Sequence, residues 1–186
     1  MVKGLLQLLS VLTLLSLVQC SSNTNYETLV KRGLNSGVIQ DSLFLGYYFG
    51  MTSDDFHSES WDMNQQGIIT GYTKIEYRFN DLKNSATMQF YPTFQNGKIV
   101  RMPVEIGYDS WAPWNRQYWP EELLNDLMEH YSEVYNARFR RVYIPDLEDF
   151  AYVDIQGNRE IRMYRFTDST IFVEFIDHNQ LTDLES

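Results

Sequence analysis

Residues 120–135 read PEELLNDLMEHYSEVY, and they form the clearest helical pattern in the chain. Pro120 suits the first turn of a helix, and Glu121 and Glu122 complement the positive end of the helix dipole there. The apolar residues recur at helical spacing and form one stripe, which comprises Leu123, Leu124, Leu127, Met128, Tyr131, Val134 and Tyr135. The stretch therefore predicts an amphipathic helix that buries this stripe against a hydrophobic core.

Four strands are predicted directly after this helix, at residues 138–144, 150–156, 160–166 and 170–176. Turns between the last three are predicted at Gly157-Asn158 and Asp168-Ser169. Consecutive strands joined by short turns are typical of an antiparallel sheet.

A second helix is predicted to begin after Thr52, earlier in the chain. Thr52 can accept hydrogen bonds from the free N–H groups of the first turn, and Asp55 follows three residues later as in a capping box. Met51 and Phe56 occupy the two positions of a hydrophobic staple. Gly67 is a good left-handed terminator, so we expect the helix to end there.

Three strands are predicted between the two helices, at residues 73–79, 86–94 and 98–108. The first alternates apolar and charged residues, and Asn96-Gly97 is a strong signal for a tight hairpin between the other two. Pro103 cannot donate to a strand ladder, so the third strand is predicted to be an edge or bulged strand. Before the first helix, residues 26–40 are interpreted as an irregular lead-in and residues 43–45 as a short strand.

The element order is therefore a helix and three strands, then a helix and four strands. It predicts an α+β fold in which an antiparallel sheet carries the two main helices on one face. The repeated order also predicts a diverged tandem duplication. The predicted divisions are a signal peptide at 1–19, a lipidated cysteine with tether and lead-in at 20–40, and one domain at 41–186 with half-units of about 41–110 and 111–186.

The N-terminus has the pattern of an export signal. Lys3 is followed by an uncharged stretch whose core, residues 5–18, is mostly Leu and Val. A membrane-spanning helix is the alternative, but a span needs about 20 apolar residues and this run ends earlier. Residues 17–20, Leu-Val-Gln-Cys, resemble the lipobox of bacterial lipoproteins, in which the cysteine is acylated and becomes the new N-terminus.

Cys20 is the single cysteine of the chain, and it is the predicted site of lipid (palmitate) attachment. The alternative is ordinary signal-peptide cleavage nearby, which would release a soluble secreted protein. Several acyl chains anchor a protein stably, whereas one chain binds a membrane only marginally. Ser21 stands where the lipoprotein families carry Asp for inner-membrane retention. The predicted localisation is therefore the cell envelope, with the outer membrane favoured over the inner.

Composition bounds the classes of partner. The formal net charge is −10 at pH 7, which argues against nucleic acid and against docking on an anionic lipid surface. A single cysteine allows no internal disulfide, so hydrophobic burial must stabilise the fold. The 13 Tyr, 11 Phe and 4 Trp residues supply that burial.

The sequence carries no recognisable catalytic motif, neither a nucleophile elbow nor a phosphate-binding loop. His130 could share a helix face with Asp126 and Glu133 as metal ligands, but a solvated charged face is the favoured interpretation. The acidic run Asp146, Glu148 and Asp149 lacks the spacing of a calcium loop. We therefore predict no enzyme activity, no catalytic residues, no cofactor and no metal.

The stretch at residues 111–119, Trp-Ala-Pro-Trp-Asn-Arg-Gln-Tyr-Trp, is the most unusual segment of the sequence. Aromatic faces beside amide and guanidinium groups can bind sugars or peptides. The favoured interpretation is that the rings fill the seam between the two half-units, with Trp114 at least half buried and Trp111 the exposed ring. The candidate binding residues are Trp111, Trp114, Asn115, Arg116, Tyr118 and Trp119.

Phe49-Gly50-Met51-Thr52, followed by Asp54-Asp55-Phe56, resembles the helix start of small outer-membrane lipoproteins of the SmpA/OmlA (BamE-like) family. It is also similar to the related fold of β-lactamase inhibitor proteins. The resemblance implies helices packed on an antiparallel sheet and an envelope location, and the pattern also looks like that of uncharacterised bacterial lipoproteins.

The leading functional hypothesis is a non-catalytic envelope lipoprotein that binds a protein partner. A carbohydrate-binding module that uses the segment at residues 111–119 is the alternative, with a glycan as its partner. A hydrolase with scattered carboxylates is the third hypothesis, because such pairs leave no local signature.

Overall fold

The computed structural model describes residues 25–71 and 73–181. The predicted signal peptide, Cys20 and residues 21–24 lie outside the described residues. The helices are α1 (Tyr26–Asn35), α2 (Ser53–Gln65), α3 (Pro120–Tyr135) and α4 (His178–Leu181). The strands are β1 (Ile69–Thr70), β2 (Ile75–Phe79), β3 (Ala86–Phe90), β4 (Thr93–Gln95), β5 (Lys98–Tyr108), β6 (Arg140–Ile144), β7 (Asp149–Gln156), β8 (Arg159–Arg165) and β9 (Thr170–Asp177).

These strands form one antiparallel sheet in the order β1-β2-β3-β5-β9-β8-β7-β6, with β4 paired to the start of β5. Two meanders meet at the centre, where β5 pairs with β9 and Val104 stands opposite Val173. Within the described residues, β1 and β6 are the two edges of this series. The predicted α+β fold is confirmed.

The hydrophobic core lies on one face of the sheet, the core face. Met88, Ile106 and Ile171 stand opposite one another across β3, β5 and β9, and directly opposite residues share a face. Phe56 of α2 and Leu127 of α3 belong to the same buried cluster. The two main helices therefore cover the same face, as predicted.

α1 packs on the other face of the sheet, the second face, at its β6 end. Arg162 is next in sequence to core-face residues of β8, so its side chain points to the second face. Val153 of β7 stands opposite Arg162 and therefore points to the same face. The small cluster beneath α1 consists of Val142, Ile144, Ala151 and Val153, with Tyr26 and Leu29 packed against it.

The interpretation of residues 26–40 as an irregular lead-in is therefore wrong. α1 begins after Asn25, whose side chain accepts the Glu27 N–H. Gly33 is the contact point: a Cβ atom there would lie 2.6 Å from the carbonyl oxygen of Gly157 and 2.7 Å from Cγ2 of Ile155. Glycine is needed because the helix backbone approaches β7 so closely.

The strand predicted at residues 43–45 is a tight loop instead. The Leu43 N–H donates to the Tyr47 carbonyl at 3.0 Å, and the Tyr47 N–H donates back to the Phe44 carbonyl at 3.0 Å. Leu45 has a positive φ of 54°, which an extended strand excludes. The apolar character of the segment reflects burial of Leu43 and Tyr47 in the main core.

β5 lies at the centre of the sheet, so the edge alternative of the prediction is wrong. The bulged alternative is confirmed, because the pairing of β5 with β4 shifts register between Thr93 and Phe94. Pro103 pairs with Glu174 of β9 on one side. On its other side, pairing with β3 ends at Val104 and pairing with β4 begins at Arg101. Proline is accommodated because it stands at this break, where no ladder partner requires its missing N–H.

Local signals placed both main helices well. Thr52 Oγ1 accepts the Asp55 N–H at 3.1 Å, which confirms Thr52 as the N-cap of α2, and the Thr52 hydroxyl donates to the Asp55 carboxylate at 2.7 Å. Asn96 and Gly97 have φ values of 51° and 72° and form the predicted hairpin turn, which joins β4 to β5. The stripe of α3 is confirmed except at Val134, which is 57% exposed because the helix turns that residue away from the sheet.

Candidate functional site

The aromatic segment at residues 111–119 connects β5 to α3, and its three tryptophans do not converge. The Asn115 N–H donates to the Ala112 carbonyl at 3.0 Å, which closes a turn with Pro113 and Trp114 at its tip. Trp114 is consequently 86% exposed, so the expectation that it is at least half buried is wrong. Stiff prolines on either side do not aim a ring inward when the ring lies at the tip of a turn.

The remaining members of the segment pack locally. The Arg116 guanidinium lies 5.5 Å from the centre of the Trp119 ring, a cation–π distance. The Tyr118 ring meets Tyr108 edge to face at 5.8 Å, and the Asn115 carbonyl accepts the Tyr118 N–H at 3.1 Å. The segment therefore presents one free ring, Trp114, beside a short stacked turn.

Trp111 is partly buried, so the expectation that it is the exposed ring is wrong. It lines a cleft of about 310 Å³ on the second face, at the end of β3, β5 and β9. The Asp109 carboxylate accepts hydrogen bonds from Thr87 Oγ1 at 2.6 Å and from Ser85 Oγ at 2.7 Å. Glu105 accepts a hydrogen bond from Thr170 Oγ1 at 3.2 Å. The cleft thus combines one indole wall with a floor of hydroxyl and carboxylate groups.

The outer edge of β6 is the second candidate surface. Within the described residues, β6 pairs with β7 and no strand pairs with its other edge. Tyr143 and Phe150, which stand opposite each other on the core face, are 48% and 44% exposed because α3 ends before it reaches them. Their rings lie 5.5 Å apart, and the Arg141 guanidinium stacks 4.0 Å above Phe150.

A basic cleft of about 470 Å³ lies beside the start of β6, between α1 and β7. Arg32, Arg138 and Arg140 line it together with apolar side chains such as Leu29 and Ile155. All three arginines are exposed, and no carboxylate of the described residues lies within 4.0 Å of their side chains. The three guanidinium groups thus form a local basic patch on a chain whose net charge is −10.

Sequence reasoning missed this basic surface. Its signal was present as Arg138, Arg140 and Arg141, three basic residues close together in an acidic chain. Arg32 joins them only because α1 packs on β7, a long-range contact that no local sequence pattern predicts.

The carboxylates of α3 form a separate cluster that holds a lysine. Lys83 Nζ lies 3.0 Å from Asp126 Oδ1 and 2.9 Å from Glu129 Oε2, and Tyr108 donates to the other oxygen of Asp126. His130 stands against Phe79 at 4.9 Å, and burial lowers its pKa. Among the described residues, no group of three or more His, Cys, Asp or Glu side chains is arranged to hold a metal ion.

No protein-family model, curated protein or solved structure matches this chain. The helices of the described residues are all too short or too polar to cross a membrane.

Proposed function

We propose that this protein is an exported, lipid-anchored and non-catalytic envelope protein that binds a protein partner along the outer edge of β6. The observation that carries the proposal is this edge itself, with which no strand of the described residues pairs and which is flanked by the exposed rings of Tyr143 and Phe150. A strand edge offers a row of N–H and C=O groups, and an extended segment of another protein can add to it as a further strand.

The energetics favour recognition at this place. Each backbone hydrogen bond contributes about 0.5–1.5 kcal/mol net, so pairing along β6 supplies affinity without reading sequence. Aromatic side chains beside the edge add area and selectivity, as they do in the centres of protein interfaces. Tyr143 and Phe150 supply a flat apolar surface, and the Tyr143 hydroxyl adds a hydrogen-bonding group.

The predicted lipid anchor is compatible with this orientation. Residues 21–25 link Cys20 to α1, and five residues span at most about 18 Å when fully extended. α1 in turn contacts β6 and β7. An anchor at Cys20 therefore keeps the β6 end of the sheet near the membrane, where envelope partners are concentrated.

A photo-crosslinking amino acid at Tyr143, in cells that export the full chain, tests the proposal. We expect a discrete crosslinked envelope protein from Tyr143 and none from Ser58, an exposed residue of α2, which lies at the opposite edge of the sheet. Identical crosslinking from the two positions, or none from Tyr143, contradicts binding at β6.

Carbohydrate binding is the second candidate function, and the cleft beside Trp111 favours it. An indole face stacks on a sugar ring, while hydroxyl and carboxylate groups such as Thr87 and Asp109 can bond its hydroxyls. Titration with envelope oligosaccharides tests it: Trp111→Ala should abolish binding and Trp61→Ala, at a 66% exposed ring on α2, should not. Equal loss, or no heat of binding in the native protein, excludes this candidate.

A further inference from the structure

We propose that the segment received by β6 is acidic at one end and apolar at the other, so that the partner adds a strand whose carboxylates reach the arginines beside Arg140. The proposal rests on the proposed function, since it specifies the chemistry of the partner at the same edge. It is carried by the sequence of exposed groups along β6 and by the basic cleft where β6 begins.

The order of side chains along β6 sets the pattern. Arg140 points to the second face and Arg141 to the core face, and both are exposed. Two positions further along, Tyr143 is exposed on the core face, whereas Val142 and Ile144 are buried beneath α1. A strand paired to β6 shares these faces residue by residue. Two adjacent carboxylates therefore suit the positions opposite Arg140 and Arg141, and an apolar or aromatic residue suits the position opposite Tyr143.

The basic cleft extends the acidic end of this pattern. Arg32 and Arg138 lie on the same cleft as Arg140, so a carboxylate entering it meets up to three guanidinium groups. The cleft also contains Asp154, whose oxygens already accept the Arg138 backbone N–H at 2.9 Å and the Gln156 amide at 2.9 Å. Asp154 thus orders the backbone at the cleft, and the three guanidinium groups have no carboxylate within salt-bridge distance in the described residues.

The contrast with the rest of the chain supports a ligand of opposite charge. Four arginines of the described residues lie against carboxylates, among them Arg162 against Glu174 and Arg165 against Glu121. The arginines of the cleft have no such partner among the described residues. Guanidinium and carboxylate groups form strong paired hydrogen bonds, and unmatched arginines on an acidic protein attract an acidic segment selectively. A second copy of this chain is disfavoured as the occupant, because both copies carry a net charge of −10.

Short fluorescent peptides and the full chain in detergent test the inference. The probes are Thr-Val-Tyr-Val-Glu-Asp and the same residues in reverse order, which cover antiparallel and parallel pairing, and fluorescence anisotropy measures their binding. We expect at least one probe to bind, its affinity to fall with added salt, and replacement of its two acids by lysines to weaken it at least about tenfold. An extended peptide pairs with β6 through the N–H groups of only one of its edges. N-methylation of the nitrogens on that edge should therefore abolish binding, and N-methylation of the nitrogens on the other edge should not.

Charge-reversal variants locate the site. Arg140→Glu should lower the affinity for the acidic peptide at least about tenfold. Lys98→Glu, at an exposed lysine in the β4–β5 hairpin, should change that affinity less than about twofold. Equal effects of the two variants overturn the inference, as does equal binding of the acidic and lysine peptides.

The test also separates this inference from the proposed function. A Tyr143 crosslink that survives in Arg140→Glu, together with peptides that do not bind, rejects the acidic partner and leaves binding at β6 intact. Sedimentation that shows a dimer of the chain, dissociated by Arg140→Glu, assigns the edge to a second copy and rejects the inference. No peptide binding and no Tyr143 crosslink mean that Arg140 and Arg141 only protect the edge against aggregation.

Discussion

The Tyr26 hydroxyl donates a 2.7 Å hydrogen bond to Oε2 of Glu160, a carboxyl group on β8 that is fully buried. His178 Nε2 lies 2.6 Å from the same oxygen, so two side chains from opposite ends of the described chain meet on one group of the second face. This bond connects α1 to the centre of the sheet. The helix α1 is therefore an integral part of the fold.

Removal of this bond should destabilise the protein measurably. Tyr26→Phe keeps the ring and leaves the buried Glu160 oxygen with one donor fewer, so we expect a loss of about 1–3 kcal/mol in the free energy of unfolding. Urea unfolding followed by circular dichroism measures it. Tyr48→Phe, at a 41% exposed ring, is the control and should change stability by less than about 0.5 kcal/mol. Equal effects of the two substitutions would show that the hydroxyl of Tyr26 contributes nothing.

A methyl group at Gly33 should disturb the packing of α1. Alanine normally favours a helix over glycine by about 0.5–1 kcal/mol, but here its Cβ would overlap the Gly157 carbonyl and Ile155. We expect Gly33→Ala to destabilise the protein by about 1–3 kcal/mol and to increase hydrogen exchange in α1. Thr28→Ala, on the exposed side of the same helix, should be neutral or stabilising. A stabilised Gly33→Ala variant would place α1 away from β7.

The sequence predicted what depends on local pattern and missed what depends on distant contacts. The stripe of α3 and the N-cap of α2 are readable because each helix carries its own signals. α1 also has apolar residues at helical spacing, Tyr26, Leu29, Val30 and Leu34, but Gly33 reads as a helix breaker until Gly157 is placed against it. The need for glycine arises from a contact with residues more than a hundred positions away.

The same distinction applies to the candidate sites. The residues at 111–119 are conspicuous in sequence, yet the exposure of Trp114 depends on a turn that composition does not specify. The arginines around β6 were visible as a charge run, but their importance depends on β6 being an edge, which follows from the order of strands in the whole sheet.

Stability should fall steeply at alkaline pH because several tyrosines are buried. Burial raises the pKa of Tyr135 to about 12, and burial together with the neighbouring carboxyl groups Glu160 and Asp126 raises the pKa values of Tyr26 and Tyr108. Unfolding returns each pKa to about 10. The unfolded state therefore releases these protons first, so their contribution is complete below pH 10 and is lost as pH rises above it.

Absorbance of tyrosinate near 295 nm, recorded with circular dichroism, checks this expectation. The exposed tyrosines should ionise near pH 10 without loss of structure, and the buried group should ionise together with unfolding at higher pH. Tyr135→Phe removes one of the ionising groups, so its alkaline unfolding midpoint should lie at a higher pH than that of the native protein. The comparison is made after correcting for any difference in stability at neutral pH. Ionisation of all tyrosines in one step near pH 10, with the fold intact, would contradict their burial.

Substitution of Cys20 tests the anchor. Cys20→Ser removes the thiol that the lipid requires, so we expect the protein to move from the membrane to the soluble fraction and to lose labelling by an alkyne fatty acid. Ser22→Ala, two residues further along, is a matched control that should leave both unchanged. If the native protein and Cys20→Ser fractionate and label identically, the lipoprotein proposal is wrong.

Alanine substitution of the three tryptophans of residues 111–119 should lower the free energy of unfolding by different amounts. Trp114 is 86% exposed at the tip of its turn, so Trp114→Ala removes little contact and should cost less than about 0.5 kcal/mol. Trp111 is partly buried against the sheet, with its indole nitrogen enclosed, so Trp111→Ala should cost about 1–3 kcal/mol. Trp119 stacks with Arg116, so the stability loss of Trp119→Ala should lie between those of the other two variants.

Thermal unfolding and acrylamide quenching measure this order. Trp61→Ala, at a 66% exposed ring on α2, is the control for loss of an exposed indole. Loss of Trp114 should remove the most strongly quenched part of the fluorescence, because acrylamide reaches a ring in proportion to its exposure. If Trp114→Ala proves as costly as Trp111→Ala, the ring packs against the sheet in solution, and the turn at residues 112–115 does not hold it out as described.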